Sequence, residues 1–222
     1  MASAFFTRWK NASTISSFNP SPIHTSWPNF CSSKPLIVAN LGEDGIRRPA
    51  SGRQRGLEAT FTAYFVEALL VAIRHVPQAN AAFTPEGIRA YSAVHLGVSV
   101  TDGKSARHGV IRDADTRNVV GVAVEIEAIR SRGSTEPAAL AEATLSLADY
   151  GPDSALYAVP LVLPGQVAAV RIGAVDERLV VRERGFGLSP TAYVCASIDH
   201  RALDGMDAGA LLGAMKRELE RA

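Results

Sequence analysis

The residues predict an α/β layer sandwich, and three patterns carry that expectation. A helical period sets in near Leu57. A strict two-residue alternation runs through Val94, Leu96, Val98 and Val100. An amphipathic run closes the chain between Asp207 and Arg221. Interleaved helices and strands place helices against a sheet; the order of the strands is not written in these patterns.

Each element has its own signal. Phe61, Phe65, Ala68, Ala72 and Val76 return about once per turn, and Pro77 stops the run because it lacks the next donor. Residues 84–87 (TPEG) read as a turn. The alternation at 94–100 predicts a half-buried strand, and Thr101-Asp102-Gly103 a hairpin turn after it. Residues 110–115 (VIRDAD) leave a strand. Asp115 or Thr116 is expected to cap a helix over about 118–131, with Val122, Ile126 and Ile129 as its buried stripe. A small-residue loop covers 133–137. Strand-like runs follow at 143–148, 166–175 and 191–198. The last helix carries Leu211, Met215 and Leu219 on one face.

The bulk composition narrows the class. With 222 residues, 47% of them apolar and 20% charged, one domain can bury a sizeable core. The formal net charge of +1 gives no field for nucleic acid or an anionic membrane. No run approaches about 18 apolar residues, so no membrane span is expected. Cys31 and Cys195 stand far apart and outside any metal spacing, which points to a reduced, cytoplasmic protein. His24, His75, His95 and His108 show no ligand spacing, and no metal site is expected. No phosphate-binding glycine loop appears. The first acidic residue is Glu43, behind a segment rich in Ser, Thr and Asn. That composition suits an organelle transit peptide or, the favoured reading, a polar arm of the mature fold. Residues 43–56 read as an exposed connection, so 1–56 is taken as an N-terminal arm and 57–222 as the folded domain.

The chemistry concentrates in residues 197–209, SIDHRALDGMDAG. His200 stands where a buried strand gives way to a turn and a helix, a position rigid on one side and open on the other. An imidazole there is suited to take a proton from a hydroxyl or thiol. Asp204 is placed to orient it or to lock the turn by an ion pair. On the residues alone, a packed or solvated histidine stands beside the catalytic reading.

Here the chain resembles a family. DHRALDG at 199–205 is similar to the signature of the catalytic domain of dihydrolipoyl acyltransferases, the cores of 2-oxo acid dehydrogenase complexes, with chloramphenicol acetyltransferase a distant relative. The stretches 65–103, 108–129, ATLSLADYG at 143–151 and PLVLPGQVAAVRIGAVDERLVV at 160–181 resemble further family segments in order. The resemblance covers about 57–222. It implies a two-layer sandwich with a mixed β-sheet, the CoA-dependent acyltransferase fold. It implies that His200 is the general base, with Asp204 organising the turn and intermediate, Asp199 and Arg201 in structural roles, and Asn80 fixing backbone. It also implies a homotrimer or a multiple of trimers, with the histidine from one chain and the acyl channel largely from its neighbour.

Two departures shape the expected function. Where the family strand ends Thr-x-Ser, with a serine stabilising the oxyanion, the aligned residues are Ser146, Leu147 and Ala148. The serine position is then alanine, and Ser146, Tyr150 or a backbone amide must replace the donor. Asp149 stands where the family often has Asn or Ser and adds negative charge near the site. Residues 1–56 do not fit the lipoyl and subunit-binding domains of full-length members. Together these point to a stand-alone acyltransferase. It moves an acetyl group from acetyl-CoA, a co-substrate rather than a bound cofactor, to the hydroxyl of a small-molecule acceptor, a tetronate-type intermediate of natural-product biosynthesis. The alternatives are a dihydrolipoamide acyltransferase core and a catalytically impaired trimeric scaffold.

Overall fold

The structure is a computed structural model, and it describes residues 31–38, 61–151, 155–182 and 185–220. The expected connection at 43–56 and the start of the first helix at 57–60 lie outside the described residues. In chain order the elements are strand β1 (Cys31–Val38), helix α1 (Phe61–His75) and strands β2 (Ala81–Thr84), β3 (Gly87–Ala90), β4 (Leu96–Thr101) and β5 (Ala106–Ile111). Helix α2 (Val119–Arg132) follows, then β6 (Leu145–Asp149), β7 (Ala168–Ile172), β8 (Asp176–Arg182), β9 (Gly185–Asp199) and helix α3 (Gly205–Leu219).

The main sheet is ordered β1-β9-β7-β6-β4-β5, and β8 pairs with the first half of β9. The β4–β6 and β6–β7 pairs are parallel and the others antiparallel, so the sheet is mixed as expected. β2 and β3 form a separate hairpin, closed by the expected turn at Thr84–Gly87. β1 falls inside the expected N-terminal arm, yet its backbone pairs along the full length of the β9 segment from Ala192 to Asp199.

The three helices cover one face of the sheet. The alternating residues Leu96, Val98, Leu145, Leu147, Val170, Ile172, Val194, Ala196 and Ile198 face them and are buried to within 1%. α1 packs against both α2 and α3. It is therefore buried nearly all round, wider than the single stripe its period predicts, while Phe61 at its start is 44% exposed. Each fully buried side chain such as Phe65 or Leu69 contributes roughly 1.5–3 kcal/mol. The stripes of α2 (Val122, Ile126, Ile129) and α3 (Leu211, Met215) are buried as read from the sequence.

Three sequence readings are corrected. β4 is not half-buried: Gly97 and Ser99, on the side away from the helices, are buried as well. A strand flanked on both sides and covered on both faces needs small residues there, and a Cβ added at Gly97 would lie 2.8 Å from Ala143 Cβ and 3.2 Å from Leu140 Cδ2, closer than such atoms pack. The N-cap of α2 is Asn118, whose side chain accepts from the Gly121 amide. Asp115 instead accepts from the Val94 amide and Thr116 donates to the Asp113 carbonyl. Finally, β8 and the first half of β9 form a long ribbon beyond the expected strand at 191–198.

Candidate active site

The turn after β9 is built around Asp199. Its amide donates to the Val167 carbonyl, fixing the strand end against β7. Its carbonyl accepts from the Ala202 and Leu203 amides, and both those side chains are buried. Its carboxylate, 7% exposed, accepts the Arg201 amide at 3.0 Å and the Arg201 guanidinium at 2.6–3.1 Å. Burial alone would raise this carboxyl, but the Arg201 bonds outweigh it, and the acid sits below its ordinary range. Arg201 also lies over the Phe83 ring, 4.2 Å from its centroid, which joins the β2–β3 hairpin to the turn. The residues either side of His200 are thus tied to each other, Asp199 buried and Arg201 at the surface, and His200 itself is exposed. Among the described residues His200 makes no hydrogen bond.

Asp204 caps α3. Its carboxylate accepts the Met206 and Asp207 amides at 2.7 and 2.9 Å, and the Asp207 carboxylate accepts the Asp204 amide in return. It therefore locks the turn through the helix end, with no hydrogen bond to His200. Asn80 fixes backbone: its amide group donates to the Tyr91 and Ala93 carbonyls.

Ser146 and Ala148 stand together on the sheet face turned away from the helices. Asp149 does not join them. Its carboxylate points to the other face, accepts the Thr62 hydroxyl of α1 at 2.7 Å and accepts the Gly151 amide. The Ser146 hydroxyl donates to Gln166 Oε1 at 2.8 Å, and the Gln166 amide donates to the Ala143 carbonyl. Thr144-Leu145-Ser146 is itself a Thr-x-Ser, two residues before the aligned position. A shift of two residues keeps the same face.

The register shows residues that sequence reasoning missed. One row crosses the sheet face turned away from the helices: His108 on β5, Ser99 on β4, Ala148 on β6, Arg171 on β7 and Cys195 on β9. Ser99 Oγ lies 2.8 Å from His108 Nδ1, and both side chains are buried. Burial lowers the His108 pKa, with Glu136 opposing. Burial likewise raises the Cys195 thiol, partly offset by the Ala158 backbone and then by Arg171, and leaves it a poor nucleophile. The available signal was a charged or polar residue at an alternating position inside an apolar run, as in AAVRIG and LGVSVT.

His200 and this row lie apart in the chain. Five residues of strand separate His200 from Cys195, roughly 16 Å at about 3.3 Å per residue. Among the described residues no group of three or more His, Cys, Asp or Glu side chains is placed to hold a metal ion, and no helix is long and apolar enough to cross a membrane.

Comparison with known proteins gives a family. Residues 41–222 match the family described as 2-oxoacid dehydrogenases acyltransferase (catalytic domain). The dihydrolipoyllysine-residue acetyltransferase component of the pyruvate dehydrogenase complex of Mycobacterium bovis is 31% identical over 183 residues. That alignment covers 78% of this chain and 33% of the relative, so the chain spans about a third of that protein's length. The crystal structure of a probable dihydrolipoamide acetyltransferase from Listeria monocytogenes superposes with a TM-score of 0.75 at 23% identity, covering 87% of this chain and 85% of that one. Chloramphenicol acetyltransferase superposes at 0.59 and 16% identity, covering 86% and 89%. The two structural likenesses bear on the fold, and they give it the acyltransferase architecture expected from the DHRALDG resemblance. By its match over residues 41–222, the chain belongs to the 2-oxoacid dehydrogenase acyltransferase family, in the part that forms the catalytic domain.

Proposed function

We propose that this protein transfers an acyl group between the thiol of coenzyme A and the thiol of a dihydrolipoyl group, with His200 as general base. The observation that carries the reading is the exposed, unbonded His200 ring on a turn rigidly held by the Asp199–Arg201 clamp and the Asp204 cap. The M. bovis relative, named for lipoyl acetyl transfer, supports the acceptor.

The imidazole takes the proton of the incoming thiol, and the thiolate adds to the thioester carbonyl carbon. The tetrahedral oxyanion collapses, the original carbon–sulfur bond breaks, and the departing thiolate takes the proton back from the imidazolium. Atoms and charge balance with no further reagent. Asp204 acts through the helix cap, holding the turn that aims the ring. Ser146 and Ala148, on the face turned away from the helices, line the acyl side of the site, with Ser146 the hydroxyl nearest the expected oxyanion position in sequence. Because His200 lies so far along the sheet from Ala148, the site is completed by a second copy. The histidine of one protomer faces the Ser146–Ala148 side of its neighbour in a homotrimer or a multiple of trimers. The exposed ribbon residues Leu179, Val181, Phe186 and Leu188, each 63–77% exposed, supply apolar surface for such an assembly.

A second reading keeps the chemistry and changes the acceptor to the hydroxyl of a small molecule, such as a tetronate-type alcohol. It is supported only in the alignment that sets Ala148, rather than Ser146 of Thr144-Leu145-Ser146, at the family's serine position. The test is the protein assayed with acetyl-CoA against dihydrolipoamide and against such an alcohol, alongside His200→Ala. General-base catalysis is worth roughly 10²–10⁴-fold, so His200→Ala loses turnover by that factor. Retained turnover in the variant rejects the proposal. Turnover with the alcohol alone selects the second reading, and a folded oligomer inert to both acceptors is a scaffold.

A further inference from the structure

Two links tie the β2–β3 hairpin to Asp199, the residue before His200. The first passes through Arg201. Its guanidinium gives its N–H edge to the Asp199 carboxylate and lies over the Phe83 ring of β2, 4.2 Å from the centroid. The second passes through the start of β7. The Tyr91 hydroxyl, just past β3, donates to the Gly165 carbonyl at 3.0 Å. Two residues on, the Val167 carbonyl accepts the Asp199 amide at 2.7 Å. The hairpin is itself fixed at its base. The Tyr91 amide donates to the Asn80 carbonyl, and the Asn80 side chain donates to the Tyr91 and Ala93 carbonyls. Across the hairpin Phe83 pairs with Ile88, which packs against the core.

We infer that Phe83 is a positioning residue, which holds Arg201 so that the His200 imidazole is presented in one orientation. The inference rests on His200 as general base and adds a residue that aims it. The exposed His200 ring makes no hydrogen bond among the described residues, so its direction follows the backbone on either side. On the Asp199 side that backbone is anchored, through the buried residue's amide, carbonyl and carboxylate. On the other side Arg201 stands at the surface, its side chain 55% exposed, where water competes for the guanidinium. An aromatic face against the cation gives it a second fixed partner and leaves its N–H edge to the carboxylate. An aliphatic side chain fills similar space but offers the cation no negative face, and the plane of the guanidinium is then free to turn.

The test is steady-state turnover of the full chain with acetyl-CoA and dihydrolipoamide. Phe83→Leu, Phe83→Met and Phe83→Tyr are each made alone and in the His200→Ala background. Tyrosine keeps the ring and retains wild-type turnover. Leucine and methionine lower kcat by about tenfold and leave KM for acetyl-CoA within about twofold, inside the roughly 100-fold that a 1 Å misplacement can cost. In the His200→Ala background the same substitutions change nothing, because no base is left to aim. Unchanged kcat in the aliphatic variants overturns the inference. So does a loss in Phe83→Tyr equal to that in Phe83→Leu. An equal loss in both backgrounds overturns it as well, and assigns the ring to stability alone. The two aliphatic side chains differ in shape, so if one variant does not fold the other decides. Failure of the general-base reading is seen separately, as full turnover in His200→Ala with Phe83 intact.

Discussion

Arg201 holds the carboxylate of Asp199 by its edge: Nε lies 2.9 and 3.1 Å from the two oxygens and Nη2 lies 2.6 Å from one of them. The two partners are unequal. Asp199 is buried, whereas the Arg201 side chain is 55% exposed. Removing the arginine strands a buried carboxylate; removing the carboxylate returns an arginine to water.

Arg201→Met is therefore expected to destabilise more than Asp199→Asn, by about 1–3 kcal/mol against about 1 kcal/mol or less. The Asp199 carboxyl is depressed in the folded state, so the pair's stabilisation is complete above the unfolded value of about 3.9 and fades as pH falls through the folded value. Arg201→Met removes the guanidinium bonds that offset burial and keeps only the backbone amide of residue 201, so the acid-side decline shrinks. Urea midpoints between pH 3 and 7 measure both effects; equal costs for the two substitutions contradict the asymmetry.

Asp204 tests the division between capping and chemistry. Asp204→Ala removes the acceptor for two helix amides and is expected to cost about 1 kcal/mol, while Asp204→Asn keeps a competent cap. If the residue acts only through the helix end, Asp204→Asn retains turnover within a few-fold and keeps its pH profile. A profile displaced in the Asn variant shows a direct electrostatic hold on His200.

His108 gives a pH signature near neutrality. Burial, opposed by Glu136, lowers its folded pKa below the ordinary 6.5. The unfolded chain then takes a proton that the folded one resists, so stability falls as pH drops through about 6.5 toward the folded value. His108→Gln should flatten the stability curve over that interval, read by thermal melts at pH 5 to 8. An unchanged slope means that the ring charges in place.

Much of this was legible in the sequence, and the failures have physical causes. α2 and α3 announced themselves because a 3.6-residue period survives wherever one side is wet, and α1 kept enough of that period to be read although it is buried nearly all round. β4 was misjudged because alternation reports side-chain polarity, and Gly97 and Ser99 are small enough to be covered despite it. β8 was missed because Leu179 and Val181 lie among charged residues and remain exposed. The cap of α2 was misplaced by a few residues because Asp115 is drawn off by a distant amide at Val94. His200 stood out through a local motif. The row from His108 to Arg171 could not, because it exists only through the pairing of four strands.

Among the described strands β9 comes last in the chain yet lies inside the sheet, between β1 and β7. While the chain is being synthesised, the apolar edge at Ala168–Ile172 therefore waits without a partner, and the earliest strand waits for the latest. The sheet closes in one long-range step that joins opposite ends of the fold, the kind of pairing that is slow to find. Polypeptides halted on the ribosome before Gly185 would carry that sticky border uncovered, and these are the species that chaperones would have to shelter.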